Sequence, residues 1–340
     1  MRVALLILLF LTGLLGTSWA IRCLRAEPVE HGRRLKYEYL VEHADEYSVV
    51  LIGSSRVNHS LIPAIIEERL AARGHVHRVF NYGIGGMRSF EADEVFDKVL
   101  DLDMPELAVV VMEWPDWDGI PYGDEGAATE RSVEWHTARR TLAVLVSLAR
   151  ADMPWPAAVR HALQHLRLAL SRSVNFGAGS SWLQRRLGTV DFGDLPEVVL
   201  RDGFAATGEM RARSPEVEAR RVAKTEQLLA RKHFLDLGNA LPVDLARYNR
   251  AALARQAAAA EARGVLLVWA VMPGEAYTPQ AWRLAEESAE LPLLLFNSPT
   301  RYPELYRSDT RWDPDHLNSK GARLFSTLFG DALAALLDRP

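Results

Sequence analysis

Short apolar runs mark out the chain, and the stretches between them change to helical spacing. Ser48-Val-Val-Leu-Ile52 ends at Gly53, and Leu107–Met112 is wholly apolar; Val265–Met272 and Leu293–Phe296 follow much later. Runs of four to eight residues, apolar at consecutive positions, are what strands buried on both faces of a parallel sheet require. His75–Tyr82 reads as a further strand, second in order. A helix is expected from Ser60 or Pro63 to Gly74, with Ser60 as N-cap and Pro63 in the first turn. Ser89–Leu102 is amphipathic, Leu245–Arg263 is Ala-rich and ended by Gly264, and Leu317–Leu337 holds the last helix. Strand alternating with helix predicts an α/β fold with a doubly wound, three-layer parallel sheet.

The rhythm stops between Gly119 and Leu241. Helical stretches at Arg139–Arg150 and Pro156–Leu170 alternate there with loops near Gly177 and Gly193, and the mixed-sign run Arg211–Lys232 reads as a solvated helix. The expected layout is an N-terminal segment (residues 1–25), a charged helical neck (26–47), an α/β core (48–118 and 242–340) and a mostly helical insertion (119–241).

Val3–Ile21 is an uncharged, Leu-rich run of 19 residues behind Met1-Arg2. About 20 such residues cover the hydrocarbon layer of a bilayer. Ser18 and Ala20 also place small residues where a signal peptidase would cut. Counting positive charges alone would hold the C-terminal side in the cytoplasm, with Arg22, Arg25, Arg33 and Arg34 beyond the run. The position of the run, first to be translated and followed by a soluble-looking remainder, favours export. An uncleaved signal anchor with the remainder extracytoplasmic is the first expectation; a cleaved signal peptide and a secreted protein is the second. Formal net charge −4 argues against a nucleic-acid partner, which needs a basic face. Cys23 is the single cysteine, so no internal disulfide can form; it could be acylated.

Ligands of open α/β sheets bind at the carboxyl ends of the strands. Ser54 and Ser55 follow the first strand, Asn81-Tyr-Gly83-Ile-Gly85-Gly86 the second, and Glu113-Trp-Pro-Asp116-Trp-Asp118 the third. Asp313-Pro-Asp-His316-Leu-Asn-Ser-Lys-Gly321, after the last strand, puts a carboxylate three residues before an imidazole. Nucleophile, base and orienting acid are thereby expected at one edge.

These four blocks resemble the SGNH hydrolase superfamily, the GDSL-like esterases and acyltransferases. Gly53-Ser54-Ser55 looks like the first block, Asn81–Gly86 the second, and Asp313 with His316 the D-x-x-H block. The Gly-Ser-Ser form, the N-terminal membrane segment and the His-Leu-Asn-x-x-Gly ending are similar to membrane-anchored relatives that modify cell-surface polymers. The resemblance implies Ser55 as nucleophile, His316 as general base, Asp313 as its orienting acid and Gly86 as a backbone oxyanion donor. It implies no cofactor and no metal, an acylated carbohydrate or surface polymer as substrate, and a membrane acyl donor as partner. The third block departs from the pattern: Asp116 stands nearest to the usual Asn, and an ionised carboxylate cannot donate to an oxyanion. A catalytically inactive binding or assembly factor is therefore the alternative, and a nucleotide binder using the glycines at 83–86 a remoter one. Trp114 and Trp117 could stack on a sugar ring. Glu134-Trp-His136 could line a cleft or simply pack. His161 and His165 have zinc-ligand spacing but no third ligand.

Overall fold

The protein is described by a computed structural model covering residues 2–24, 31–114, 130–150, 153–174, 202–206, 214–241, 247–288 and 291–339. Five strands, β1 (Val49–Gly53), β2 (Val79–Gly83), β3 (Val109–Glu113), β4 (Leu266–Val271) and β5 (Leu293–Leu295), form one sheet. Their order is β2-β1-β3-β4-β5 and every pairing is parallel. This is a doubly wound arrangement with its switch point between β1 and β3, where such folds place their ligands.

Alternate side chains of each strand point to opposite faces. Val49, Leu51, Val109, Val111, Val268 and Ala270 enter one core with Ile66 and Leu70 of α4 (Pro63–Ala71) and with α13 (Ser319–Leu337). Phe325 and Phe329 of α13 close it against Phe296, with ring centroids 5.0 and 5.8 Å away. The other face meets α5 (Ser89–Asp101) and α11 (Arg247–Glu261). Trp269 of β4 donates to Gln256 of α11, and Gln256 donates to Asp93 of α5, so this face too is tied. Helices on both faces of a parallel sheet are the three layers expected.

Two local expectations change. The second strand is Val79–Gly83, not His75–Tyr82, because His75–Arg78 only approach the ladder: the Arg78 carbonyl accepts from Ser48 and Val49. Ser60 does not begin a helix but ends one, α3 (Ser55–Ser60), and α4 starts at Pro63 behind Ile62. Six residues, Ser-Arg-Val-Asn-His-Ser, are too few to show helical periodicity in a sequence. Ser54 caps α3, accepting the Arg56 N–H at 3.2 Å.

The chain divides into two compact units. Leu35–Asp116, Leu195–Leu245 and Arg250–Pro340 contain the sheet; Met1–Arg34, Trp117–Asp194 and Ala246–Asn249 make the other. The sheet unit holds most of α2 (His31–Glu42), together with α9 (Pro215–Arg231), α10 (His233–Asn239) and α12 (Pro279–Glu287). Of the expected insertion, the described residues 202–206 and 214–241 fall in the sheet unit. The second unit holds α1 (Arg2–Leu24), α6 (Glu130–Trp135), α7 (Ala138–Arg150) and α8 (Trp155–Ser173). α1 is long and apolar enough to cross a membrane over Arg2–Ala20. In the same unit His136 and His165 stack as a buried pair, their ring nitrogens 2.8 Å apart, and Trp135 is buried beside them. Trp135, His136 and His165 are thereby packing residues, and no cluster of three metal-binding side chains occurs among the described residues.

Candidate active site

Ser55 is the first residue of α3, immediately beyond β1, and His316 lies in the loop that opens α13. Their side chains meet: Ser55 Oγ is 2.7 Å from His316 Nε2. On the far side of the imidazole, Nδ1 stands 2.8 Å from Asp313 Oδ1. A carboxylate can only accept from Nδ1, so Nδ1 carries the proton and Nε2 offers its lone pair to the serine hydroxyl. The same Asp313 oxygen accepts the backbone N–H groups of Asp315 and His316, both at 2.9 Å. Burial alone would raise the Asp313 carboxyl, but the bonds from His316 and from the two amides outweigh it and hold it below the usual range.

The loop is built to keep that geometry. Trp312 N–H donates to the His316 carbonyl at 2.9 Å, closing the turn. Asn318 caps α13 by accepting the Gly321 N–H at 3.0 Å. Cap and triad coexist because the cap uses the residue after Leu317 and leaves Asp313 and His316 to each other. Arg311 is buried beneath, its guanidinium 4.3 Å from the Tyr306 ring centroid and donating to the carbonyls of Leu305 and Pro314. Arg221 of α9 lies over Trp312 at 4.5 Å.

Glu113, the last residue of β3, fixes the serine turn. One carboxylate oxygen accepts Ser54 N–H at 2.5 Å, the other accepts Ser54 Oγ–H at 3.1 Å and Arg56 Nε–H at 2.6 Å. Both partners are largely enclosed, with 16% of the Arg56 side chain and 7% of the Glu113 side chain exposed. Removing one member of a buried pair strands the other's charge. Glu113→Ala is therefore expected to destabilise the protein by about 3 kcal/mol. Adding Arg56→Ala should recover part of that loss, which denaturant melts of the two single variants and the double variant would reveal as non-additivity.

Gly86, with φ 67°, follows β2 in the left-handed region that glycine enters without penalty. Its turn is fastened to the serine strand, since Ile84 N–H donates to the Gly53 carbonyl at 2.9 Å. Neither the Ser55 N–H nor the Gly86 N–H has an acceptor among the described residues. Asp116 and Trp117 lie outside the described residues; Trp114 is buried, with its N–H on the Ala270 carbonyl at 2.7 Å.

Three further groups stand at this edge without having been assigned a role from sequence. His59 is four residues after Ser55 and shares its face of α3. Its ring lies edge-on to His316 with centroids 5.9 Å apart, and Nδ1 donates to the Ala205 carbonyl at 2.6 Å. Burial lowers its pKa most, with the neighbouring His316 and Lys36 charges adding to the effect and the Ala205 bond opposing it. With Nδ1 donating to Ala205, the neutral form of the His59 ring carries its lone pair on Nε2. Asn81 is fully buried and donates to the Val57 and Leu61 carbonyls at 2.9 and 2.7 Å, holding α3 to β2. A Cβ at Gly83 would collide with the Asn58 backbone, so glycine is needed where α3 crosses that strand end.

Lys36 of α2 is the third group. Its ammonium is sealed in the interior and reaches Asn58 Oδ1 at 2.8 Å and the carbonyls of Asn81, Gly83 and Gly203 at 3.1, 2.7 and 2.5 Å. Burial lowers its pKa from 10.5 to about 7, against the opposing charge of Asp202. Between those values the unfolded chain keeps a proton that the folded chain has released. Stability from this site is then full above 10.5 and is lost as pH falls through about 7. Relative to Lys36→Met, the wild-type unfolding free energy should climb between pH 7 and 9, with a slope of at most ~1.4 kcal/mol per pH unit, and the melting temperature with it. Parallel melting curves for the two proteins across that range would exclude a titrating Lys36.

The arrangement is a hydroxyl, an imidazole and a carboxylate in line at the carboxyl end of a parallel sheet, beside two amides without an acceptor among the described residues. Chemically it can deprotonate the serine as it attacks a carbonyl. No protein-family model matches the chain, and no curated protein matches it.

Proposed function

We propose that this protein is a serine esterase or O-acyltransferase of the SGNH type, acting on an acylated carbohydrate of the cell envelope. The reading rests on one observation above the rest: Ser55 Oγ, His316 Nε2, His316 Nδ1 and Asp313 Oδ1 follow one another at 2.7 and 2.8 Å. Heavy-atom separations of about 2.6–3.2 Å are the reach of general-base catalysis. His316 takes the Ser55 proton as Oγ bonds to the ester carbonyl carbon. The developing oxyanion is received by the Ser55 and Gly86 amides. The imidazolium, stabilised by Asp313, returns its proton to the leaving alkoxide as the ester bond breaks. The acyl-enzyme then passes its acyl group to water or to a sugar hydroxyl, activated by the same imidazole.

The substrate class comes from the resemblance of the four blocks and from an apolar N-terminal helix that would anchor an extracytoplasmic domain. A membrane protein supplying the acyl group is the expected partner for the transferase outcome.

A serine-directed fluorophosphonate tests the chemistry without knowledge of the substrate. Detergent-solubilised full-length protein should be labelled on Ser55, located by peptide mass, and should release p-nitrophenol from p-nitrophenyl acetate. Wild type that labels no better than Ser55→Ala would end the enzymatic reading and leave a binding or assembly role on the same fold.

A further inference from the structure

The helices grouped with α1 carry a surface that the site does not use. α8 turns His165 and Leu168 inward and leaves Trp155, Val159, Leu163, Leu166 and Leu170 outside, with Trp155 77% and Leu170 64% exposed. At 3.6 residues per turn these five positions fall within an arc of about 80°, so they form one stripe along the helix. α7, which packs on α8, adds exposed Leu142 and Val146. Large apolar side chains scattered singly over a surface need no explanation; a continuous stripe does.

The charge on these helices is of one sign. α7 and α8 together hold six arginines and neither Asp nor Glu, in a chain whose formal net charge is −4. Arg160 and Arg167 are exposed and flank the apolar stripe on one side. Apolar stripe and basic flank together are the signature of a helix that lies in a membrane interface.

The depth of α8 relative to α1 agrees. Ser18 is buried and its hydroxyl donates to the Ser173 carbonyl, in the last turn of α8, at 2.6 Å. The segment able to cross a bilayer ends at Ala20. Ser18 is two residues, or about 3 Å, from that end, so the bond sets the C-terminal end of α8 at the level of the headgroup boundary. Trp19, 69% exposed, stands at the same level, where tryptophan concentrates in membrane proteins.

We propose that α7 and α8 form an interfacial element that lies on the leaflet from which α1 emerges, the stripe among acyl chains and the arginines among anionic lipid headgroups. A second copy of the chain could cover the stripe, but it would bring arginines against arginines. Anionic lipid satisfies the apolar stripe and the positive flank together. The inference rests on the reading of α1 as a membrane anchor and is independent of the chemistry at Ser55.

The test uses the full chain with Cys23→Ser, reconstituted in vesicles of phosphatidylcholine and phosphatidylglycerol that contain brominated lipid. An NBD fluorophore is placed at Leu163→Cys in the stripe, at Gln164→Cys one residue round the helix, or at Phe10→Cys within α1. The expected result is blue-shifted emission at 163 and quenching at least twofold stronger than at 164, with the difference shrinking when phosphatidylglycerol is left out. Strong quenching at position 10 with equal, water-like emission at 163 and 164 would overturn the interfacial element alone. No quenching at position 10 would overturn the anchor and the element together. Protection at 163 that follows protein concentration and ignores the lipid would assign the stripe to a second copy and likewise overturn the proposal.

Discussion

His316→Ala is expected to lower p-nitrophenyl acetate hydrolysis by roughly 10⁵–10⁶-fold while leaving the thermal midpoint within a few degrees of wild type. The imidazole is the only described acceptor within reach of the Ser55 hydroxyl, and without it the attacking oxygen keeps its proton. His316 is partly exposed, with 20% of its side chain open, and its backbone N–H stays on Asp313, so truncation neither opens a sealed cavity nor unmakes the loop. Ser55→Ala should cost a similar factor, and the double variant little more, because groups that act in one step are lost together. The residual rate would come from the oxyanion amides and from binding. Losses that multiply in the double variant, as for independent sites, would show that Ser55 and His316 do not serve one step.

Much of the frame can be read along the chain because each strand is a local apolar run with its own stop signal. Val49–Gly53, Val109–Met112 and Leu267–Val271 are consecutive buried positions, and burial on both faces leaves no polar residue among them to break the pattern. Ser55, Asp313 and His316 stand out for a related reason: each sits within two residues of a glycine, proline or aspartate that marks a strand end or a helix start. What the sequence hides are groups whose meaning lies in distant partners. Lys36 sits in the charged helical neck, yet two of its acceptors, the carbonyls of Asn81 and Gly203, are 45 and 167 residues away. Glu113 could be placed at a strand end, but not its grip on Ser54 and Arg56. His59 falls in a helix too short to announce itself, so nothing local puts its ring beside His316.

Asp313→Ala is expected to cost about 10⁴-fold in turnover, and Asp313→Asn only about 10- to 50-fold, a separation that follows from which oxygen does the holding. All three donors, His316 Nδ1 and the amides of Asp315 and His316, converge on Oδ1. Oδ2 receives none among the described residues. An asparagine can keep its carbonyl oxygen in the Oδ1 place and turn its NH₂ to the vacant side, because the reverse orientation would set a donor against three donors. The imidazole then retains both its tautomer and its aim. What it loses is charge, and hydrogen bonds to a charged group are worth about 1–2 kcal/mol more than neutral ones. Alanine removes the bond and the charge, and frees the imidazole to take either tautomer; loss of a triad carboxylate of this kind costs about 10⁴. The Ala variant should also melt earlier, since two backbone amides lose their acceptor, while the Asn variant should melt close to wild type. Rates and melting temperatures for the pair decide the matter: an Asn variant as slow as Ala would mean that the carboxylate charge, not the fixed tautomer, carries the contribution of Asp313.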